Sequence, residues 1–281
     1  MGVFNRQSLF ATIIGGTGLF LVSGNACAEL GLNLTRGVTP TSEEIYDLHM
    51  LIFWICVGVG ILVYGIMAWS IYHHRKSKGA VASQFHENLT LEVTWTVIPL
   101  LILIAVAVPA TSAMVRIYDS SASDLTIKVT GYQWRWHYEY VDHDFGFTSS
   151  LSTPFDQIVN KAPKGEHYLL EVDNPLVLPT DKKVRFVITA DDVNHAFWVP
   201  AFGFKQDAIP GFINEAWAVI QEPGIYRGQC AELCGRGHGY MPIVVEAKTP
   251  EEFDKWMAES KAAQSGEGAN AVIQSAQAEA H

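Results

Sequence analysis

Three stretches of the chain are apolar enough to leave water. The first, LFATIIGGTGLFLV, follows a single charge, Arg6, and ends in the small residues SGNACA. A charged start, a short apolar run and small residues at Ala26-Cys27-Ala28 mark a secretory signal peptide. Residues 1–28 are therefore expected to be removed, leaving 29–45 as an exported N-terminal segment. The second and third stretches run from about 46 to 72 and from about 93 to 117. Each exceeds the ~20 residues that a helix needs to cross a bilayer core, and each carries tryptophan near an end, as interfacial anchors do. Pro99 and Pro109 fall inside the third, where neighbouring groups can satisfy the freed carbonyls. A transmembrane hairpin over 46–118 is predicted. The link between its helices holds Arg75, Lys76 and Lys78, whereas the flank before it holds Glu43, Glu44 and Asp47. By the positive-inside rule the link is cytoplasmic and both ends of the hairpin lie outside, which agrees with the signal peptide.

From about Asp124 the period shortens. LTIKVTG, YQWRWHYEY, HYLLEVDN, KVRFVITA, EAWAVI and PIVVEAK are short, partly alternating and rich in Val, Ile and aromatics, with Gly, Pro, Asn and Asp between them. That pattern predicts a compact all-β sandwich or barrel over 119–249. Residues 250–281 then open like a capped helix at Thr249-Pro250 and pass into an Ala-, Gln-, Ser- and Gly-rich run expected to be a flexible tail.

Composition sharpens this division. Of 281 residues, 49% are hydrophobic and only 17% charged, against a usual ~25% charged, as expected of a membrane protein with a sizeable soluble part. The net charge of −10 excludes a nucleic-acid-binding surface. Four cysteines are too few for a disulfide scaffold.

The chemistry is concentrated in Cys230-Ala-Glu-Leu-Cys234-Gly-Arg-Gly-His238-Gly-Tyr-Met241. Two thiols, an imidazole and a thioether lie on one glycine-rich loop. A second imidazole, His195 in DDVNHAFWVP, lies upstream beside a strand. Thiolate, thioether and imidazole together select copper among first-row metals, whereas zinc sites use Cys, His and carboxylates. A Cys230–Cys234 disulfide leaves His238 and Met241 without a role, and a Cys2His2 zinc site leaves Met241 without one. A blue-copper centre needs a single Cys. Two coppers sharing both thiolates, with one histidine each and Met241 as a weak axial ligand, use every group.

The same residues resemble subunit II of the haem–copper cytochrome c oxidases, of the bacterial type. The loop matches that family's binuclear copper-A motif, C-x-E-x-C-x3-H-x2-M. Tyr132-Gln133-Trp134-Arg135-Trp136 before Tyr138-Glu139-Tyr140, LLEVDNPLVLP, DVNHAFWVP and DAIPG match further. The resemblance covers about residues 41–250 and implies a cupredoxin-like Greek-key β-barrel anchored by the hairpin beside a haem-bearing subunit I. It implies that His195, Cys230, Cys234, His238 and Met241 bind two copper ions, with Glu232 adding its backbone carbonyl. The Glu232 carboxylate would bind magnesium at the subunit I interface. Trp134 would admit electrons from cytochrome c. Glu139, Asp142, Asp144, Asp173 and Asp192 would belong to, or lie near, an acidic docking surface; residues 119–249 hold 17 acids and 11 bases, a net −6, so the field suits a basic donor. Glu92, three residues before Trp95, would stand at the mouth of a proton path into subunit I. The implied activity is electron transfer from cytochrome c to subunit I, for oxygen reduction coupled to proton translocation. Subunit III, membrane lipid and the bacterial inner membrane complete the implied setting, with the copper domain on the periplasmic side.

Two positions depart from the family pattern: Arg135 stands between two tryptophans where an aromatic is usual, and Phe212 follows Pro-Gly where arginine is common. No C-x-x-C-H occurs, so no covalently attached haem is expected on this chain, and the donor that the resemblance implies would be a separate cytochrome. The competing readings are a copper carrier or assembly protein, a quinol-oxidase-like subunit and a nitrous-oxide reductase. The complete ligand set argues against the second and the missing further domain against the last.

Overall fold

The computed structural model describes residues 33–278; the expected signal peptide lies outside them. Helix α1 spans Pro40–His73 and α2 spans Leu89–Ile117. At 1.5 Å per residue both are long enough to cross a membrane, and their large apolar side chains are mostly exposed. α1 starts at Pro40 and not near residue 46. Thr39 accepts from the Ser42 backbone N–H, Ser42 Oγ accepts from the Thr39 N–H, and Pro40 opens the first turn, a reciprocal cap that extends the helix into the aqueous segment. α2 likewise starts earlier than about 93, at Leu89, because the Asn88 side chain accepts from the Leu91 N–H. Arg116 near the end of α2 pairs with Glu44 in the first turns of α1, tying these two ends of the hairpin together.

The following domain has ten strands among the described residues, in two five-stranded sheets. The strands are β1 Leu125–Tyr132, β2 Arg135–Tyr140, β3 Phe145–Ser149, β4 Leu176–Pro179, β5 Lys183–Ala190, β6 His195–Val199, β7 Phe204–Ala208, β8 Asn214–Val219, β9 Gly224–Cys230 and β10 Pro242–Lys248. One sheet has the order β3-β2-β1-β5-β8 and the other β4-β10-β9-β6-β7. β1 with β5 and β4 with β10 are parallel; the remaining pairs are antiparallel. The result is the expected cupredoxin-like fold, with each sheet closed over the other. Alternation fixes which side is inside. Ile127, Val129, Trp136, Tyr138, Phe186 and Ile188 of the first sheet face Phe197, Val199, Ile243 and Val245 of the second, all fully buried.

Two expectations need correction. HYLLEVDN is not a strand. Apart from one bridge, Leu151 with Val172, it forms turns with Leu169 at φ +61°. The reason is local capture of amides: Asp173 accepts from the Ser150 and Asn174 N–H groups, and Glu171 is held by Arg227. Nor does the C-terminal helix stop before the Ala-, Gln-, Ser- and Gly-rich run. A short helix, α3 (Phe155–Ile158), lies in the β3–β4 connection, and the final helix, α4, runs from Pro250 to Ala278. Its Ala-, Glu- and Gln-rich sequence has enough helix propensity to absorb Gly266 and Gly268. Phe253 and Met257 bury its first turns against the sandwich, and Trp256 joins Tyr140, Phe145 and Phe147 in an aromatic cluster.

The domain is also fastened to the hairpin. The Thr39 hydroxyl donates to the Phe202 carbonyl at 2.9 Å, and the Gln221 N–H to the Val38 carbonyl at 3.0 Å. A Cβ on Gly203 (φ +78°) would lie 2.7 Å from Ser42 Cα, so glycine is what lets α1 seat there.

Two buried tyrosines on β2 make a contrast. The Tyr140 hydroxyl donates to the Val177 carbonyl at 2.7 Å and accepts from the Val177 N–H at 3.1 Å, joining the two sheets. The Tyr138 hydroxyl is equally buried but has no hydrogen-bond partner among the described residues. Loss of a buried partner costs ~1–3 kcal/mol, whereas removing an unpartnered hydroxyl does not. Tyr140→Phe is therefore expected to lower the unfolding free energy of the domain by about 1–3 kcal/mol in denaturant titrations, and Tyr138→Phe to leave it unchanged or raised. Equal losses for both would refute this reading.

Candidate metal centre

The centre forms where β9 meets its neighbours. Cys230 ends β9 and Met241 immediately precedes β10. These strands pair antiparallel, with Gln229 opposite Pro242 and the Cys230 N–H donating to the Met241 carbonyl at 3.4 Å. The twelve-residue span from Cys230 to Met241 thus becomes a hairpin loop whose two ends are fixed side by side. On its other edge β9 pairs with β6, placing Phe197 opposite Cys230. His195 opens β6 and lies beside the same cysteine.

The donor atoms converge accordingly. Cys230 Sγ lies 3.9 Å from Cys234 Sγ and 3.8 Å from His195 Nδ1. Cys234 Sγ lies 3.5 Å from both His238 Nδ1 and Met241 Sδ. The Cys230 thiol donates to the Glu232 carbonyl at 3.3 Å. His195, Cys230, Cys234 and Met241 are buried and His238 is half-buried. Both cysteines are free thiols. Metal–sulfur bonds of ~2.3 Å can span a 3.9 Å pair from either side, and no ligand atom has far to move. His195, Cys230 and Cys234 alone place their donor atoms within 4.8 Å of one another. The site therefore fits bound copper: the donors are soft and buried, and each is aimed at the others rather than at solvent.

Electrostatics separate the two thiols. Burial disfavours the Cys230 thiolate, but the His195 ring and nearby backbone groups outweigh it and bring the thiol down to about 7. Burial and the charge of Cys230 push Cys234 up to about 12. For His195 burial works downward, and hydrogen bonds with Cys230 and Asp192 outweigh it to raise the ring above its ordinary value. A bound cation would relieve the repulsion that keeps the second thiol protonated.

Residues around the centre orient it. His195 Nε2 lies 2.9 Å from Asp192 Oδ1, a carboxylate on the ring nitrogen away from the thiols. The same carboxylate accepts from the Gln133 and Val193 N–H groups. Trp136, fully buried, donates to the Met241 carbonyl at 3.3 Å and packs edge-on to His195 with centroids 5.9 Å apart. The Cys234 carbonyl accepts from both Gln133 Nε2 at 2.9 Å and Trp134 Nε1 at 3.2 Å. The half-buried indole of Trp134 lies along the loop's glycines; a Cβ on Gly237 would stand 2.2 Å from Trp134 Cδ2. On β1, a Cβ on Gly131 would stand 2.8 Å from His195 Cδ2.

The other sequence candidates fall in different places. Glu232 is exposed while its carbonyl faces the thiols, so one residue presents oxygen atoms on two sides. The proposed docking acids do not form one patch. Asp192 is engaged behind His195, where three hydrogen bonds outweigh partial burial and hold it below the ordinary carboxylate range. Asp173 accepts from the Ser150 N–H, one residue past the pairing of Trp136 with Ser149 at the metal end. Glu139 is paired with Lys128, and Asp142 accepts from the Thr126 N–H. At ~3.3 Å per residue that contact is about 20 Å down the strand from Tyr132, and Asp144 follows it beyond β2. Glu92 stands apart in the first turn of α2, where it accepts from the Asn88 N–H at 3.3 Å. Gly131, Gln133, Asp192 in its buttressing role and Trp136 were not legible as parts of the centre. The only signal was their nearness to Trp134 and His195 in the chain.

The chain is similar to known proteins along most of its length. Residues 125–248 match the family described as cytochrome c oxidase subunit II, periplasmic domain, and residues 27–112 match its transmembrane domain. A probable cytochrome c oxidase subunit 2 from Rickettsia felis is 41% identical over 233 residues, covering 81% of this chain and 71% of that protein. Its counterpart from Rickettsia bellii is 42% identical over 231 residues, covering 82% and 84%. Among solved structures, the periplasmic domain of subunit II of the Bradyrhizobium japonicum cytochrome oxidase shares 42% identity over 50% of this chain and 96% of its own, with a TM-score of 0.46.

The two glycines press on different sides of the centre. Gly131→Ala is expected to displace the His195 ring and shift the visible and near-infrared bands of the copper-loaded protein. Gly237→Ala displaces the Trp134 indole instead, and is expected to shift those bands less than Gly131→Ala does. The reverse pattern would contradict the assignment.

Proposed function

Because this chain belongs to the cytochrome c oxidase subunit II family, we propose that its exported domain takes electrons from reduced cytochrome c and passes them to haem in subunit I, where oxygen is reduced and protons are translocated. The observation that carries the proposal is the continuous contact from the surface to the thiols: Trp134 is hydrogen-bonded to the carbonyl of Cys234, whose sulfur lies within 3.9 Å of Cys230, His238 and Met241 donor atoms. His195, Cys230, Cys234, His238, Met241 and the Glu232 carbonyl would hold two copper ions. Bound there, copper supplies a one-electron couple. The chain's own contribution is rigidity and dryness. Strand pairing fixes Cys230 and Met241, Asp192 and Trp136 fix His195, and burial excludes water, so little has to move when charge arrives.

The membrane setting follows from charge. The link with Arg75, Lys76 and Lys78 lies on the cytoplasmic side, and the metal domain on the periplasmic side of a bacterial inner membrane. The exposed apolar faces of α1 and α2 suit lipid, subunit I and subunit III. Exposed Leu233 lies on the metal loop. Exposed Phe212 and Ile213 lie on the loop following Ala208, which pairs with His195. Together they give the metal end of the domain an apolar surface for subunit I. The Glu232 carboxylate would share a magnesium ion there, with the remaining ligands from the partner. Glu92, on the cytoplasmic side, would collect protons for subunit I in addition to capping its helix.

Rapid-mixing reduction of the oxidised complex by ferrocytochrome c tests the route. The net −6 of residues 119–249 predicts that uptake slows as ionic strength rises from low values, and Asp173→Asn should flatten that dependence. Trp134→Ala should cut uptake by at least tenfold with the optical bands unchanged, as expected when a single contact linking donor and acceptor is lost. Undiminished uptake in that variant would overturn the route. Glu92→Gln should leave uptake intact and slow steady-state turnover; full turnover would leave Glu92 only its capping role.

A further inference from the structure

From the end of α2 onward the chain uses its arginines in two ways. Five lie between residues 116 and 248. Three are tied to glutamates: Arg116 to Glu44, Arg185 to Glu215, and Arg227 to Glu171 at 2.6 Å. The other two, Arg135 and Arg236, are exposed and meet no carboxylate among the described residues. Both flank Trp134. Arg135 follows it in the chain, with its guanidinium carbon 5.8 Å from the centroid of the Tyr132 ring. Arg236 stands between Gly235 and Gly237, whose Cβ positions would lie 3.5 Å and 2.2 Å from indole atoms of Trp134.

Asp192, which accepts from the Gln133 N–H beside Trp134, is committed to His195. The domain as a whole is acidic, yet the two segments that meet at Trp134 each carry an exposed arginine without an ion pair among the described residues. A guanidinium matches a carboxylate with two parallel hydrogen bonds, a fit that a lysine or a solvated charge does not reproduce.

We propose that Arg135 and Arg236 form a carboxylate-gripping pair around the point of electron uptake, suited to a c-type cytochrome that presents carboxylate groups beside its exposed haem edge. The inference rests on the proposed electron uptake from cytochrome c at Trp134 and adds the chemistry of the contact. The acidic field of the domain draws in a donor with a basic body, and the two arginines decide which edge of it faces Trp134. Long-range charge thus governs encounter and short-range geometry governs orientation.

The test uses the assembled oxidase with two ferrocytochromes c as probes. One has only lysines around its haem edge; in the other, two of those lysines are exchanged for glutamate. KM is measured for each with the unaltered complex and with Arg135→Gln/Arg236→Gln. The ratio of KM for the glutamate-rimmed donor to KM for the lysine-rimmed donor is expected to rise about fivefold for each arginine removed, the size of an exposed charge pair. Arg135→Lys should give an intermediate ratio, and the optical bands of the copper centre should not change. An unchanged ratio would overturn the proposal, since the arginines would then act only as solvated charges. If small reductants reduce the unaltered complex but neither cytochrome does, cytochrome c uptake itself fails, and the gripping pair fails with it.

Discussion

The position of β9 between β6 and β10 is the constraint on which the metal centre depends. A loop carrying two thiols, an imidazole and a thioether has many conformations, and most of them scatter those groups or expose them. Antiparallel pairing of β9 with β10 fixes Cys230 and Met241 at the two ends of the loop. Pairing of β9 with β6 brings in His195 from another part of the chain. The ladder hydrogen bonds thus do the work that metal–ligand bonds would otherwise have to do alone, and the sulfur atoms are held 3.9 Å apart as free thiols. That separation places a large entropic cost in folding rather than in metal binding.

The second sheet partner supplies orientation. The turn joining β1 to β2 carries Gln133 and Trp134 onto the Cys234 carbonyl, and β2 carries Trp136 onto Met241 and His195. The centre therefore sits at the open end of the sandwich, lined by both sheets. Two glycines make the approach possible, Gly131 beneath His195 and Gly237 beneath Trp134. The same turn leaves Arg135 exposed, as the loop does Arg236, so the segments that hold the ligands also build the surface around them.

Much of this was legible in the sequence because the relevant signals are local. The apolar lengths of the hairpin, the alternation of KVRFVITA and the ligand spacing of the loop each lie within one segment. What escaped depends on contacts between distant segments. The early start of α1 follows from Thr39 and Ser42 capping each other while Thr39 also bonds Phe202. HYLLEVDN has the composition of a strand, but Asp173 and Glu171 are claimed by Ser150 and Arg227. Asp192 reads as one surface acid among several until β6 places His195 against it. Register also dispersed the expected acidic patch, because Asp142 and Asp144 end up at the far end of β2 from Trp134.

The central claim is that this loop holds a pair of coppers joined through Cys230 and Cys234. Electron paramagnetic resonance of the copper-loaded protein, with copper counted per chain, tests it most directly. The account predicts two coppers per chain and hyperfine structure from one unpaired electron shared equally by two copper nuclei, abolished by Cys230→Ser and by Cys234→Ser alike. One copper per chain, with hyperfine structure from a single nucleus, would contradict it.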